Sequence, residues 1–200
     1  MAAPAPDRAL AALAREIGGC TTCAAQLPLG PRPVVRLSAA ARILIIGQAP
    51  GTKVHATGLP WNDPSGDRLR AWLGMSRDEF YDPARIAIMP MGFCYPGRLA
   101  NGGDAPPRTE CAPQWHARVR ALLPAVKMTL LVGRYAQAHY LGPARGATLA
   151  DAVRAYRDHL PDFFVLPHPS WRTLAWAKKN PWFEAEVIPA LRKRARAILR

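Results

Sequence analysis

The residues Ile43-Leu44-Ile45-Ile46 follow Arg42 without a single polar side chain and end in Gly47-Gln48-Ala49-Pro50-Gly51. A strand that is apolar at every position must be covered on both faces, the situation of a central strand in a parallel sheet. A tight Gly/Pro turn directly after such a strand brings backbone N–H groups to the carboxyl edge of the sheet, where open α/β folds bind their ligands. Alone, Gly-x-x-Pro-Gly says little, because every strand must turn. It gains weight from three elements further along the chain. These are Gly58-Leu59-Pro60-Trp61-Asn62-Asp63-Pro64-Ser65-Gly66, a set of four cysteines, and His168-Pro169-Ser170 after another apolar run.

Three further strands are expected over residues 86–89, 128–132 and 163–166, all short apolar runs. Helical patterns lie between them at 66–73, 111–123, 134–141 and 149–158. An amphipathic stretch at 8–17, with Leu10, Leu13 and Ile17 on one face, stops at Gly18-Gly19. A Pro-rich linker at 27–33 leads into the short apolar run 34–37. Strands alternating with helices predict an α/β fold with a parallel sheet covered on both faces. The last segment, 181–200, reads as a helix interrupted or kinked at Pro189, whose ring and missing N–H break the ladder. There is no internal repeat.

Half of the 200 residues are hydrophobic, enough for one full-sized core, so a single domain over 1–200 is expected. The formal net charge is +13. After His168 the chain carries Arg172, Lys178, Lys179, Arg192, Lys193, Arg194, Arg196 and Arg200 against only Glu184 and Glu186. Such an excess favours a polyanion, and nucleic acid is the default one. The alternative is a basic surface with no particular partner, since charge alone does not name one. No apolar run approaches the roughly 20 residues that span a bilayer. The first residues also lack the charged start and apolar centre of a signal peptide. A cytoplasmic monomer that does not bind membranes is the expectation.

The cysteines are Cys20 and Cys23, a C-x-x-C pair, and the widely separated Cys94 and Cys111. Disulfides are uncommon in the cytosol, so metal binding is the better reading. Structural zinc favours two closely spaced pairs, whereas an iron–sulfur cluster on four cysteines tolerates long gaps. Zinc stands as the alternative, and Cys94 and Cys111 as plain small core residues is a further one. A cluster would tie the N-terminal helix to the Gly/Pro-rich loop 95–110, which would otherwise be poorly ordered.

The ordered set of C-x-x-C, the Gly47–Gly51 turn, Gly58-Leu59-Pro60-Trp61, Ser65-Gly66, the second cysteine pair and His168-Pro169-Ser170 resembles the uracil-DNA glycosylase superfamily. The likeness is to its iron–sulfur branches, as a divergent member, and runs from about Cys20 to Trp176. It implies a three-layer α/β/α domain with a central four-stranded parallel sheet and a 4Fe-4S cluster on Cys20, Cys23, Cys94 and Cys111. It also implies hydrolysis of the N-glycosidic bond of uracil or a related deaminated base in single- or double-stranded DNA. The chain departs from those branches at several positions. Gln48 stands where one branch has Glu, Val54 and His55 where it has an acidic pair, and Ala49 where the best-known branch has Asp. Pro90-Met91-Gly92-Phe93 occupies the place of a uracil-reading Asn.

Breaking a C1′–N bond leaves positive charge on the sugar and negative charge on the base. The site needs donors to the base, a negative group near the sugar and a held water, with the base outside the stack. The resemblance carries the base donor onto His168; a merely exposed turn histidine is the alternative. It carries the stacking aromatic onto Trp61, otherwise a core tryptophan. Gln48 and Ala49 would face the base through the turn. Asp63 matches the acid of a G-D-x-S-G element and is the water-positioning candidate, with a helix N-cap as its alternative role. Asn62 is the other candidate for holding the water. After His168 and Ser170, Trp171 is the wedge that would fill the gap left by the base, and Arg172, Lys178 and Lys179 would neutralise phosphates. A solvated basic helix face is the alternative there. A binding module without catalysis, and a hydrolase of free nucleosides, are the competing functions; the basic C-terminal track speaks against the second.

Overall fold

The computed structural model describes residues 6–100, 102–146 and 148–200; Met1–Ala5, Asn101 and Ala147 of the expected 1–200 domain lie outside the described residues. Helix α1 spans Pro6–Gly18, followed by strand β1 at Ile43–Ile46 and helices α2 (Thr52–Thr57), α3 (Pro64–Leu73) and α4 (Arg77–Tyr81). Then come β2 (Ile86–Ile88), α5 (Ala117–Ala121), β3 (Met128–Val132), α6 (Arg134–Leu141) and α7 (Leu149–Arg154). Strand β4 (Phe163–Leu166) and helices α8 (Trp171–Lys179) and α9 (Ile188–Leu199) complete the order. The four strands form one parallel sheet in the order β2-β1-β3-β4. Helices cover both faces, so the fold is the three-layer α/β/α arrangement expected from the sequence.

Side chains alternate across β1 in the way a doubly covered strand requires. Ile43 and Ile45 enter a core with Leu69, Phe80, Phe164 and Phe183, beneath α3 and α9. Leu44 and Ile46 enter the opposite core with Leu13, Ile17, Trp115 and Val119. The run 34–37 lies along the outer edge of β2, where Arg36 and Ile88 form an antiparallel bridge. That bridge covers an edge that would otherwise expose unpaired backbone groups.

The helices depart from expectation where proline removes a donor. The stretch read as one helix over 111–123 begins with a π-turn at Ala112–His116 before α5, and the wider turn falls around Pro113. The C-terminal stretch does the same, with a π-turn at Phe183–Val187 and Pro189 in the first turn of α9. The interruption therefore precedes Pro189, in the turn whose ladder its missing N–H breaks. The stretch 149–158 splits into α7 and a 3₁₀ turn at Tyr156–His159. The segment after His168 that carries Trp171, Arg172, Lys178 and Lys179 is helix α8.

His116, carried on the π-turn, is buried between the sheet and α6. Its Nδ1 is 2.7 Å from the Tyr140 hydroxyl and its Nε2 3.1 Å from the Pro90 carbonyl oxygen. A carbonyl only accepts, so Nε2 carries the proton and the tyrosine donates to Nδ1. Burial pushes the His116 pKa down to about 4. The unfolded chain, with an ordinary histidine near 6.5, therefore takes up a proton that the folded protein refuses. Stability present above pH 6.5 is expected to fall by about 3 kcal/mol as the pH drops to 4. Urea unfolding across this range measures it, and His116→Gln should flatten that part of the profile.

Candidate active site

A cavity of about 90 Å³ opens outside the carboxyl ends of β1, β2 and β4, the edge where ligands bind in open parallel sheets. The Gly47–Gly51 turn forms one wall. The Met91 N–H donates to the Gly47 carbonyl at 2.9 Å and the Gly92 N–H to that of Gln48 at 3.0 Å, extending the β1–β2 pairing past the strand ends. Gly47 admits Trp61 edge-on, since a Cβ there would lie 2.7 Å from Trp61 Cζ2. Gln48 and Ala49 both line the cavity. The Gln48 side chain is turned to the Ala105 carbonyl oxygen, 3.4 Å from its Nε2.

Trp61 is buried on the opposite wall, and its backbone has φ 58. Its carbonyl oxygen accepts from Arg70 Nη1 at 3.1 Å, and Arg70 is itself buried, with its guanidinium over the rings of Phe80 and Tyr81. Gly66 is required beneath it, because a Cβ there would stand 1.7 Å from the same carbonyl oxygen. The indole ring faces His168 with centroids 5.7 Å apart.

His168 follows β4 and is held by its backbone. Its carbonyl accepts from the Ser170 N–H and from the Thr173 hydroxyl. The neighbouring Pro169 carbonyl accepts from Arg68 at 2.8 Å. The backbone comes close because Gly133, after β3, has φ 88 and no side chain; a Cβ there would be 3.1 Å from that of His168. Burial lowers the His168 pKa, opposed by the charges of Asp63 and Asp104. The ring is neutral at neutral pH and so keeps one N–H to donate.

Two carboxylates border the cavity. Asp63 lines it and is also the N-cap of α3, with Oδ1 accepting from the Gly66 N–H at 2.8 Å. Asp104 lines it from loop 95–110. Asn62 is not among the lining residues, and its Oδ1 accepts from Arg77 at 3.0 Å. Asp104 was not foreseen from the sequence. The available signal was an acid in a Gly/Pro-rich stretch, Gly102-Gly103-Asp104-Ala105-Pro106, between the third and fourth cysteines.

Beside the cavity, Ser170 is the N-cap of α8, and Trp171 opens the helix with 69% of its surface exposed. Leu174, one turn on and 49% exposed, shares that face. The Arg172 guanidinium lies 4.8 Å from the centroid of the Trp171 ring, and Lys178 and Lys179 occupy the last turn. Part of the C-terminal charge serves the fold instead. Arg192 donates to the carbonyls of Ala71 and Trp72 at the end of α3, and Arg194 to that of Pro161.

All four cysteines are free thiols, and all four line one small void with Phe93, Arg108 and Trp115. Cys20 and Cys23 follow α1, Cys94 follows β2, and Cys111 starts the π-turned helix. The thiols ring the void without converging: among the described residues no three His, Cys, Asp or Glu side chains form an assembled ion site. Burial raises the pKa of Cys23 and Cys94 and pushes that of Cys111 up to about 11. The indole N–H of Trp115 and the Nε–H of Arg108 are buried with no acceptor. Four thiols and two unpaired donors around one void suit a group rich in acceptor sulfur, and bound metal would displace the thiol protons.

A family model, Uracil DNA glycosylase superfamily, matches residues 35–192, and the chain belongs to that superfamily. Its general function is DNA-glycosylase-like and its partner is DNA. Among the described residues no helix is long and apolar enough to cross a membrane.

Proposed function

We propose that this protein is a monofunctional DNA-repair glycosylase that hydrolyses the N-glycosidic bond of uracil or a related deaminated base. The observation that carries this is one cavity at the sheet edge walled by the Gly47–Gly51 turn, Trp61, His168 and two aspartates. Trp61 offers a face to the extruded base, replacing its stacking neighbours. His168 donates to the base oxygen on which negative charge develops. The aspartates place negative charge on the sugar side, where the positive charge grows. Trp171 supports insertion into the duplex, and Arg172, Lys178 and Lys179 run along the same helix as a phosphate track.

Cys20, Cys23, Cys94 and Cys111 would hold a 4Fe-4S cluster, with zinc as the alternative. The unpaired N–H groups of Trp115 and Arg108 support the cluster, since they suit hydrogen bonding to sulfur. Its part would be structural, tying α1 to loop 95–110. A base-release assay on DNA containing uracil, hypoxanthine or xanthine tests the activity, with an intact abasic strand cleaved only by later alkali as the expected product. The tie of Asp63 Oδ1 to the Gly66 N–H favours a second reading, a binding module with weak or no catalysis. DNA binding without base release from any substrate would establish it. In either case, alanine at each phosphate-contacting residue should reduce the salt slope of binding by roughly one unit, as equilibrium titrations at several ionic strengths would record. An unchanged slope in the triple variant of Arg172, Lys178 and Lys179 would place the track elsewhere.

A further inference from the structure

Two carboxylates border the cavity, yet the reaction needs one to take a proton from water, and the structure treats the two differently. Asp63 is committed to the backbone as the cap of α3. The carboxylate of Asp104 has no hydrogen bond or ion pair among the described residues, although it lines the same cavity. Its position is fixed by its loop. Asp104 and Arg98 form an antiparallel bridge, the Ala105 N–H donates to the Gly97 carbonyl at 2.9 Å, and the Ala105 carbonyl faces the Gln48 amide. Farther along, Gly92 allows the backbone at Pro107 and Arg108 to pack closely, because a Cβ there would meet the Arg108 nitrogen at 3.0 Å.

The loop thus lays Asp104 across the turn after β1. A Cβ on Gly51 would stand 3.8 Å from Asp104 Oδ2. The turn itself offers no acid, having Gln48 and Ala49 at its centre. Charge from both aspartates reaches His168, so both lie near the group that faces the leaving base.

We propose that Asp104 is the catalytic carboxylate that holds and deprotonates the attacking water, and that Asp63 is a positioning residue that fixes the Trp61–Gly66 turn. The assignment rests on the glycosylase reading. In the step, the C1′–N bond breaks with its electron pair leaving on the base, whose oxygen accepts the His168 N–H. The water oxygen bonds to C1′ and its proton passes to Asp104. Asp104 returns that proton to solvent, from which the base anion is protonated. Charge, atoms and electrons balance with water as the sole co-reactant.

Single-turnover base release by the full chain, with Asp104→Asn, Asp104→Glu and Asp63→Asn alongside wild type, tests this. Asp104→Asn should lose about 10²-fold or more, the usual contribution of a positioned base, with unchanged affinity for abasic product DNA. Asp104→Glu should recover part of the loss. Asp63→Asn, which preserves a good cap, should fall at least tenfold less than Asp104→Asn. The reverse order would overturn the assignment and return the role to Asp63. A second measurement does not depend on activity: the NMR titration of the His168 ring should move to lower pH in Asp104→Asn. An unmoved titration would remove Asp104 from the site. Wild-type protein that releases no base while the titration moves would instead defeat the glycosylase reading, and the catalytic assignment with it.

Discussion

His168→Ala is expected to release base about 10²–10³-fold more slowly than wild type, the usual cost of removing a preorganised donor to developing negative charge. The loss should fall on the chemical step. The His168 ring faces Trp61 and the cavity, whereas the turn that carries it is held by backbone carbonyls accepting from Ser170, Thr173 and Arg68. Truncating the ring leaves those bonds in place. Affinity for DNA containing an abasic product should therefore change little, and the helix carrying Trp171 should keep its position. Single-turnover kinetics paired with equilibrium binding separate the two effects. A variant that loses binding and rate in proportion would mean that His168 holds the DNA rather than the transition state.

The second large effect is expected at Cys111. If Cys20, Cys23, Cys94 and Cys111 hold the proposed cluster, Cys111→Ser should remove it, leaving colourless protein in which iron and sulfide are lost together. It should also cost stability, because the four thiols come from three parts of the chain that meet at one void. If the tie contributes ~3 kcal/mol, the midpoint of thermal unfolding should fall by about 6–12 °C for a chain of this size. Anaerobically purified wild type should be brown and contain iron and sulfide in matched amounts. Colourless wild type with one bound zinc would replace the cluster with the alternative metal. Hydrogen exchange should show the loss concentrated in α1 and loop 95–110, the segments next to the cysteines around the void.

Legibility in the sequence followed the range of the interactions. Strands β1, β3 and β4 have the bounds expected from their apolar runs, and β2 ends one residue earlier at Ile88. A strand buried on both faces declares itself residue by residue. Helix boundaries near Pro113 and Pro189 were less legible, because how a helix absorbs a missing donor depends on what packs against it. Helix α8 was hard to read because its exposed Trp171 and Leu174 blur the inward stripe of Thr173, Trp176 and Ala177. The Gly47–Gly51 turn was legible as the end of a fully apolar strand, whereas Trp61 and His168 were legible through their place in the motifs that carry the family resemblance. Asp104 was not, since it reaches the cavity only through the path of a loop tied at both ends. The direction of Asn62 toward Arg77 was equally a matter of tertiary packing.

On the glycosylase reading, Trp61 has a consequence for how fast different lesions would be captured. A left-handed backbone at a bulky residue costs of order 1–3 kcal/mol, here met during folding by the buried Arg70 clamp and the bare backbone of Gly66. The backbone that carries the proposed stacking ring is thus set before any nucleotide arrives. On the glycosylase reading, the part of the capture barrier that varies between lesions then belongs to the DNA. Bases in mismatches or single strands, which unstack at least cost, should be taken up fastest, and the enzyme should rank its substrates by how loosely the duplex holds them.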